Sequence, residues 1–357
     1  MRTGLSCGRM LVEPTISAGE EIVVRRRIAT LSRARVSAVL ALLLLVAPLM
    51  AGAQQGAKIP RVGILWVYSP SVGSAFADAF RQGLRGLGYV EGRTILLEER
   101  WAEGKFDRLP SLAGELVRLN VDVIVTASTP AVQAAQQATR TIPIVMTLVT
   151  DPVESGIVAS LARPGGNITG LSLMHPELTG KRLELLMEVI PKVRRVGVFW
   201  SASTPSYRLL LSETETAARS LRLQLYVVEV RGPTDFDNAF SAITRDRVGA
   251  LVLLPDVLFR NQQKRILDLA AKHQLPAMYW SRELVDAGGL MAYGANIPDQ
   301  YRQAATVVDK ILKGAKPGDL PIEQPAKLEL VINVKTAKAL RLTIPQSVLV
   351  PADYVVE

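Results

Sequence analysis

Two hydroxyl side chains and a proline stand together at one boundary of this sequence. Ser128, Thr129 and Pro130 lie inside VDVIVTASTPAVQAA (121–135). Val121, Val123, Ile124 and Val125 form the short β-branched run of a buried parallel strand. Pro130 suits the first turn of a helix, and Ser128 or Thr129 can cap it. The free N–H groups of such a turn, with the positive end of the helix dipole, attract a carboxylate or another anion. The two hydroxyls could equally serve only their own helix.

Similar polar clusters end other apolar runs. In the first half they are Tyr68-Ser69-Pro70-Ser71, Thr147 and Thr150-Asp151-Pro152. In the second half they are residues 201–206, with Ser203 and Thr204, then Pro255-Asp256 and Tyr279-Trp280-Ser281-Arg282. Hydroxyls, amides and a few charges suit a small polar or zwitterionic solute. Several of these residues have two readings. Asp256 is either a partner for an amine or a helix cap, and Asp151 either faces a solute or shapes a turn. Trp66 and Trp200 either stack on a ligand or pack in a core. Arg282 either clamps a carboxylate or is solvated. His175 and His273 show no metal-ligand spacing, and His273 falls on a helix tail. No metal site and no cofactor are expected.

The elements that position these clusters follow a βα beat. Strands are expected at 61–67, 94–102, 121–125, 143–149 and 167–173, and helices at 76–88, 110–119, 153–161 and after Pro130. The pattern restarts with a helix over 178–190 and RRVGVFW (194–200), which mirrors RVGILWV (61–67). Further strands are expected at 224–230, 249–255, 276–280 and 289–294, with helices at 207–221, 236–244, 261–273 and 299–312. A last strand and helix fall within 328–340. The fold class is therefore α/β, with two doubly wound parallel-sheet lobes joined by a hinge and a cleft at their carboxyl strand ends. Residues 58–170 plus 289–318 make the first lobe, 171–288 plus 319–345 the second, and 346–357 a C-terminal tail. Arg163-Pro164-Gly165-Gly166-Asn167 reads as a hinge or a turn.

The chain has 357 residues, 48% hydrophobic and 21% charged, with net charge +9. That is globular composition, long enough for two domains. Arg25, Arg26, Arg27, Arg33 and Arg35 precede an apolar run at 36–50 and then Ala51-Gly52-Ala53. This is the pattern of a secretory signal peptide over 1–53, and the alternative is a retained anchor. Residues 1–53 carry seven arginines and three acidic residues, so their removal lowers the charge from +9 to +5. No basic block argues for nucleic acid. Cys7 is the single cysteine, so the exported chain would have no disulfide and no thiol catalyst.

The longer motifs carry a resemblance. They are RVGIL (61–65), GLRGLGYVEG (83–92), PIVM (143–146), DPVESGIVASLARPGGNITGL (151–171), GGLMAYG (288–294) and LPIEQPAKLELVINVKTAKALRLTIP (320–345). From about Lys58 to Glu357 the chain resembles the exported substrate-binding proteins of ABC transporters, in the branch that includes tryptophan- and tyrosine-type binders. The resemblance implies a type I periplasmic-binding-protein fold with two lobes and three crossing segments. It implies no catalytic residues, a periplasmic monomer, and a membrane permease and an ATPase subunit as partners. The ligand, an aromatic amino acid or related carboxylate, would sit between the lobes. Ser128, Thr129 and Pro130 would meet its carboxylate and Asp256 its amine. Tyr68, Ser69, Thr147, Asp151, Ser203, Thr204, Tyr279 and Tyr293 would line the rest. A sensor component for a membrane receptor is the alternative. A Rossmann-type enzyme would need G-x-G-x-x-G after the first strand, where the chain reads YSPSVGS (68–74). A DNA-binding regulator would need a helix-turn-helix before Lys58.

Overall fold

The computed structural model describes residues 58–173, 176–201, 207–325 and 327–357. The expected signal peptide, His175, Ser203 and Thr204 lie outside the described residues. Ile59–Glu357 forms one compact unit with two sheets.

The first sheet follows the expected alternation. β1 (Arg61–Trp66), β2 (Leu96–Trp101), β3 (Val123–Ala127), β4 (Ile144–Val149) and β5 (Ile168–Ser172) pair in the order β2-β1-β3-β4-β5, all parallel. Helices α1 (Pro70–Gly86), α2 (Leu109–Arg118) and α3 (Thr129–Ala138) connect the first four strands. β1 and β3 are apolar on both faces because helices cover both faces, as parallel sheets require. The expected helix at 153–161 is absent; that stretch is a series of turns. Asp151 Oδ1 accepts from the amides of Val153 and Glu154, and Gly156 takes φ 68, so local turn chemistry displaces the helix.

The second lobe starts with α4 (Pro176–Val189). β6 (Arg195–Trp200), α5 (Tyr207–Ser220), β7 (Gln224–Glu229), α6 (Phe236–Arg245) and β8 (Ala250–Leu253) follow. Asp256 then starts the short α7 (Val257–Asn261), so the helix expected at 261–273 begins earlier and breaks at Gln262 before α8 (Gln263–Lys272). β9 (Ala277–Tyr279), α9 (Arg282–Asp286) and β10 (Met291–Ala295) complete the run. The chain crosses back to the first lobe as α10 (Ile297–Leu312), which packs along α1. β11 (Leu328–Asn333), α11 (Val334–Ala339), α12 (Gln346–Leu349) and β12 (Tyr354–Val356) end the chain in the second lobe. The seven-stranded order is β12-β11-β10-β9-β8-β6-β7, antiparallel at β10–β11.

The lobe boundaries differ from those expected. β10 pairs with β9 and β11, so 289–295 belongs to the second sheet. Residues 320–323 run beside β5, with Glu323 N bonded to Gly170 O at 3.0 Å, and Ile322 sits in the first core. The tail at 346–357 supplies β12, pinned where Asp353 Oδ2 accepts from Leu330 N at 2.9 Å. The chain therefore passes between the lobes three times: between β5 and α4, at Asn296, and between Glu323 and β11. Gly165 N bonds to Gly318 O at 3.2 Å, which makes the 163–167 stretch a braced turn ahead of β5.

Candidate functional site

The two lobes meet across the carboxyl ends of their strands. Ser69 N donates to Asn261 Oδ1 at 3.2 Å, joining the start of α1 to the end of α7. Val257 packs into the first lobe's core. The Arg260 guanidinium lies 5.7 Å from the Phe76 ring centroid and 5.3 Å from that of Trp280. It is a buried cation between two aromatic faces, one from each lobe. Its Nη2 donates to Ser281 Oγ and stands 3.5 Å from Glu283 Oε2, while Nη1 has no partner.

The first wall is strained at Ser128. This residue has φ 74 and ψ 151, a region that glycine alone enters freely. Its amide donates to Thr147 O at 3.1 Å. Its side chain makes no capping bond, and its Oγ is buried without a partner. Neither helix capping nor solvation accounts for this hydroxyl. Thr129 and Pro130 open α3 beside it, and Thr147 is fully buried within β4, paired with Ala127. Such strain persists only where the surroundings over-determine it, and ligand clamps are among the places where it gathers.

Aromatic groups back this wall. Trp66 stacks on Trp101 at 5.0 Å between centroids and lies 5.3 Å from Tyr301; it is a core residue, with its Nε1 unpartnered. Phe76 stacks on Tyr301 at 5.4 Å. Burial pushes the Tyr301 hydroxyl well above its ordinary pKa, with Tyr68 adding to this and Thr147 and Arg260 opposing. Tyr68 is also buried, and this pushes its pKa up to about 12; Arg260 opposes, and Asp256 and Glu283 add. A first-lobe phenol thus lies in the field of three second-lobe charges.

Other expected residues take different places. Asp256 caps α7, its Oδ1 accepting from Leu258 N at 2.6 Å. Asp151 caps the turn described above. Tyr293 is half-buried, and its carbonyl accepts from Arg182 Nε at 2.8 Å. Tyr279 ends β9. Its ring packs against Gly289 and lines a separate cavity of about 640 Å³ with Leu267, Ala270 and Thr336. Side chains alternate across a sheet, so a position near a strand end does not fix the direction of its ring. Arg282 pairs with Asp286 at 3.1 Å and lies over Tyr354, away from this wall. His273 Nδ1 meets Thr244 Oγ1 at 3.0 Å at the end of α8.

Phe76, Arg260, Asn261 and Tyr301 also stand at this junction and are not among the expected residues. The Asp256 cap was the available signal for Arg260 and Asn261, since it starts a helix whose first turns carry both.

Two α/β lobes closing on a strained hydroxyl and a buried, aromatic-sandwiched cation define a two-lobed ligand-binding protein. Residues 62–356 match the family described as ABC transporter substrate binding protein, and the chain belongs to that family. It is 29% identical over 274 residues to the tyrosine-binding protein of Clostridioides difficile, covering 77% of this chain and 78% of that one. A conserved domain protein from Vibrio cholerae has a similar structure, with TM-score 0.79 and 29% identity, covering 84% of this chain and all (100%) of that one. An ABC domain from Streptococcus pneumoniae in complex with L-Trp has TM-score 0.78 and 26% identity, with 84% and 100% covered.

Proposed function

We propose that the protein binds a small solute, an aromatic amino acid or a related carboxylate, and delivers it to an ABC permease and its ATPase by hinge closure. The observation that carries this is the Ser128 hydroxyl, buried, strained and without a partner at the first wall of the cleft. Relatives that bind tyrosine and tryptophan give the ligand its class. Ser128 and Thr129, at the helix start that Pro130 opens, receive a polar acceptor of the ligand. Tyr68, Ser69, Thr147, Asp151, Tyr293, Ser203 and Thr204 complete the lining, and Asp256 takes an amine. The protein works as a non-catalytic periplasmic monomer after export through the signal peptide at 1–53, and its membrane contact is through the permease. No helix among the described residues is long and apolar enough to cross a membrane.

The test is native mass spectrometry of the purified protein, followed by thermal melting with L-tyrosine and L-tryptophan. A stabilising ligand raises the melting temperature with its concentration. Ser128→Ala should reduce that shift. No shift with any amino acid or organic acid would remove the proposed ligand class, and turnover with released product would overturn the binding role.

A further inference from the structure

The second lobe holds a cation without a counter-charge. Arg182 lies on α4, in the second turn after the chain leaves the first lobe. Its side chain is fully buried. Nε donates to the Tyr293 carbonyl, but Nη1 and Nη2 have no hydrogen-bond partner. Among the described residues no carboxylate pairs with it. Burial draws it down to about 10, with Tyr293 opposing, which leaves it charged at neutral pH. A buried charge left unpaired is among the costliest features a fold can carry.

A second orphan lies beside it. Thr179 is also fully buried, and its Oγ1 has no partner. Residues three apart on a helix are neighbours on one face. Thr179, Arg182, Leu183 and Leu186 follow the i, i+3, i+4, i+7 stripe that α4 turns inward, and both leucines are buried in the second core. Packing alone would favour an apolar residue at position 182.

The place adjoins the crossing. Tyr293 and Gly294 belong to β10, which hands the chain to the first lobe at Asn296. A Cβ on Gly294 would stand 3.3 Å from Arg182 Nη2 and 2.0 Å from the Trp280 carbonyl. Trp280 in turn lies under Arg260, which reaches Phe76 of the first lobe. Arg182 therefore connects through two backbone neighbours to the cation between the lobes.

We propose that Arg182, with Thr179, is the seat of the ligand's carboxylate. This rests on the small-solute reading above and names the charge that solute carries. Two guanidinium N–H groups match a carboxylate in parallel, and the threonine hydroxyl supplies a third donor. The first turns of α4 add a positive dipole end. The seat moves the carboxylate away from the start of α3. Ser128 offers a neutral hydroxyl there, suited to an uncharged acceptor elsewhere on the ligand.

The test compares wild type with Arg182→Met and Thr179→Val by thermal melting and titration calorimetry. The probes are L-tyrosine, 3-(4-hydroxyphenyl)propionate, L-tyrosinamide, L-leucine and succinate. At least one carboxylate probe should bind wild type, and L-tyrosinamide should not. Arg182→Met should weaken that carboxylate about 30-fold or more, yet melt no lower than wild type when empty. Thr179→Val should weaken it about 5-fold, the scale of one lost hydrogen bond, and serves if the methionine variant does not fold. Carboxylate affinity unchanged in both variants overturns the proposal, as does a wild type that none of these carboxylates binds. L-tyrosine bound equally by wild type and both variants keeps the ligand and removes this seat. Arg182-dependent binding of succinate or L-leucine, without L-tyrosine, keeps the seat and removes the aromatic ligand.

Discussion

The two lobes share a βα plan but divide the chemistry of the cleft between them. The first is five parallel strands around one core, and its strand ends present hydroxyls: Tyr68, Ser128, Thr147 and, from α10, Tyr301. The second is seven strands with a separate core on each face, and the residues it turns toward the first lobe include the charged Asp256, Arg260 and Glu283. Placing the charges on one side has a physical consequence. At the contact itself the hydroxyl and aromatic side chains of the first lobe meet the charges of the second, so like charges are not forced together there.

The neutral wall breaks most severely at Phe76. The ring is 1% exposed, stacks on Tyr301 and faces Arg260. Phe76→Ala should cost about 3–5 kcal/mol in denaturant unfolding, through lost burial and a residual cavity. Phe76→Leu keeps most of the volume and should cost less than half as much. Equal losses for the two would mean that the aromatic face, not the volume, supports the wall.

The charged wall is tested at Arg260. Arg260→Ala leaves Glu283 without its ion-pair partner and empties the space between Phe76 and Trp280. Because Glu283 is about one-quarter exposed (24%), solvent screens part of the loss, and about 2 kcal/mol is expected. Arg260→Met with Glu283→Gln should recover at least half of it, since neither side then buries an unpaired charge. Full recovery would make the pair dispensable to the fold and point to a role in ligand contact alone. No recovery would place the loss in the cation–aromatic stacking.

Ser128→Gly should act in the opposite direction. Glycine enters φ 74, ψ 151 without a Cβ penalty, so the empty protein should gain about 1 kcal/mol, read as a rise of a few degrees in melting temperature. Ligand affinity should fall because the buried Oγ is gone. A variant that gains stability and keeps full affinity would show the strain to be unrelated to binding.

Much of this was legible in the chain, and the failures share a cause. β1, β3, β6 and β8 are short apolar runs, and burial on both faces makes such runs plain. The Ser128 loop was equally plain, because a strand end meets a proline that opens a helix. β10 was not. Its alternation of small and apolar residues fits either sheet, and only the pairing of Met291 with Met278 and of Tyr293 with Leu330 decides. Tyr279 ends β9, and the direction of its ring turns on one residue in a period of two. The signal of Arg182 is local: a cation within an apolar helical stripe. Periodicity identifies a helix by tolerating such exceptions, and functional residues are found among the exceptions.

Asn261 sharpens the comparison at the smallest scale. Its Oδ1 accepts from Ser69 N, and its Nδ2 is buried without a partner. The bond spans the lobes, so in an opened form the Ser69 amide and the Asn261 side chain each meet water instead. Asn261→Ala therefore removes an interaction that the closed form alone makes, and it also removes the unpaired Nδ2. These two effects oppose one another: lost bonding costs about 1 kcal/mol and relief of a buried orphan returns part of it. The expected net is about 0.5 kcal/mol against closure, a roughly twofold shift of the open–closed balance by the factor of ten per 1.4 kcal/mol. Small-angle scattering of the empty protein should show a slightly larger radius of gyration, with global stability unchanged. A smaller radius would mean that the orphan amide outweighs the bond and that Asn261 holds the empty cleft open. A fall in global stability would place Asn261 in the fold of α7 rather than in the contact between the lobes.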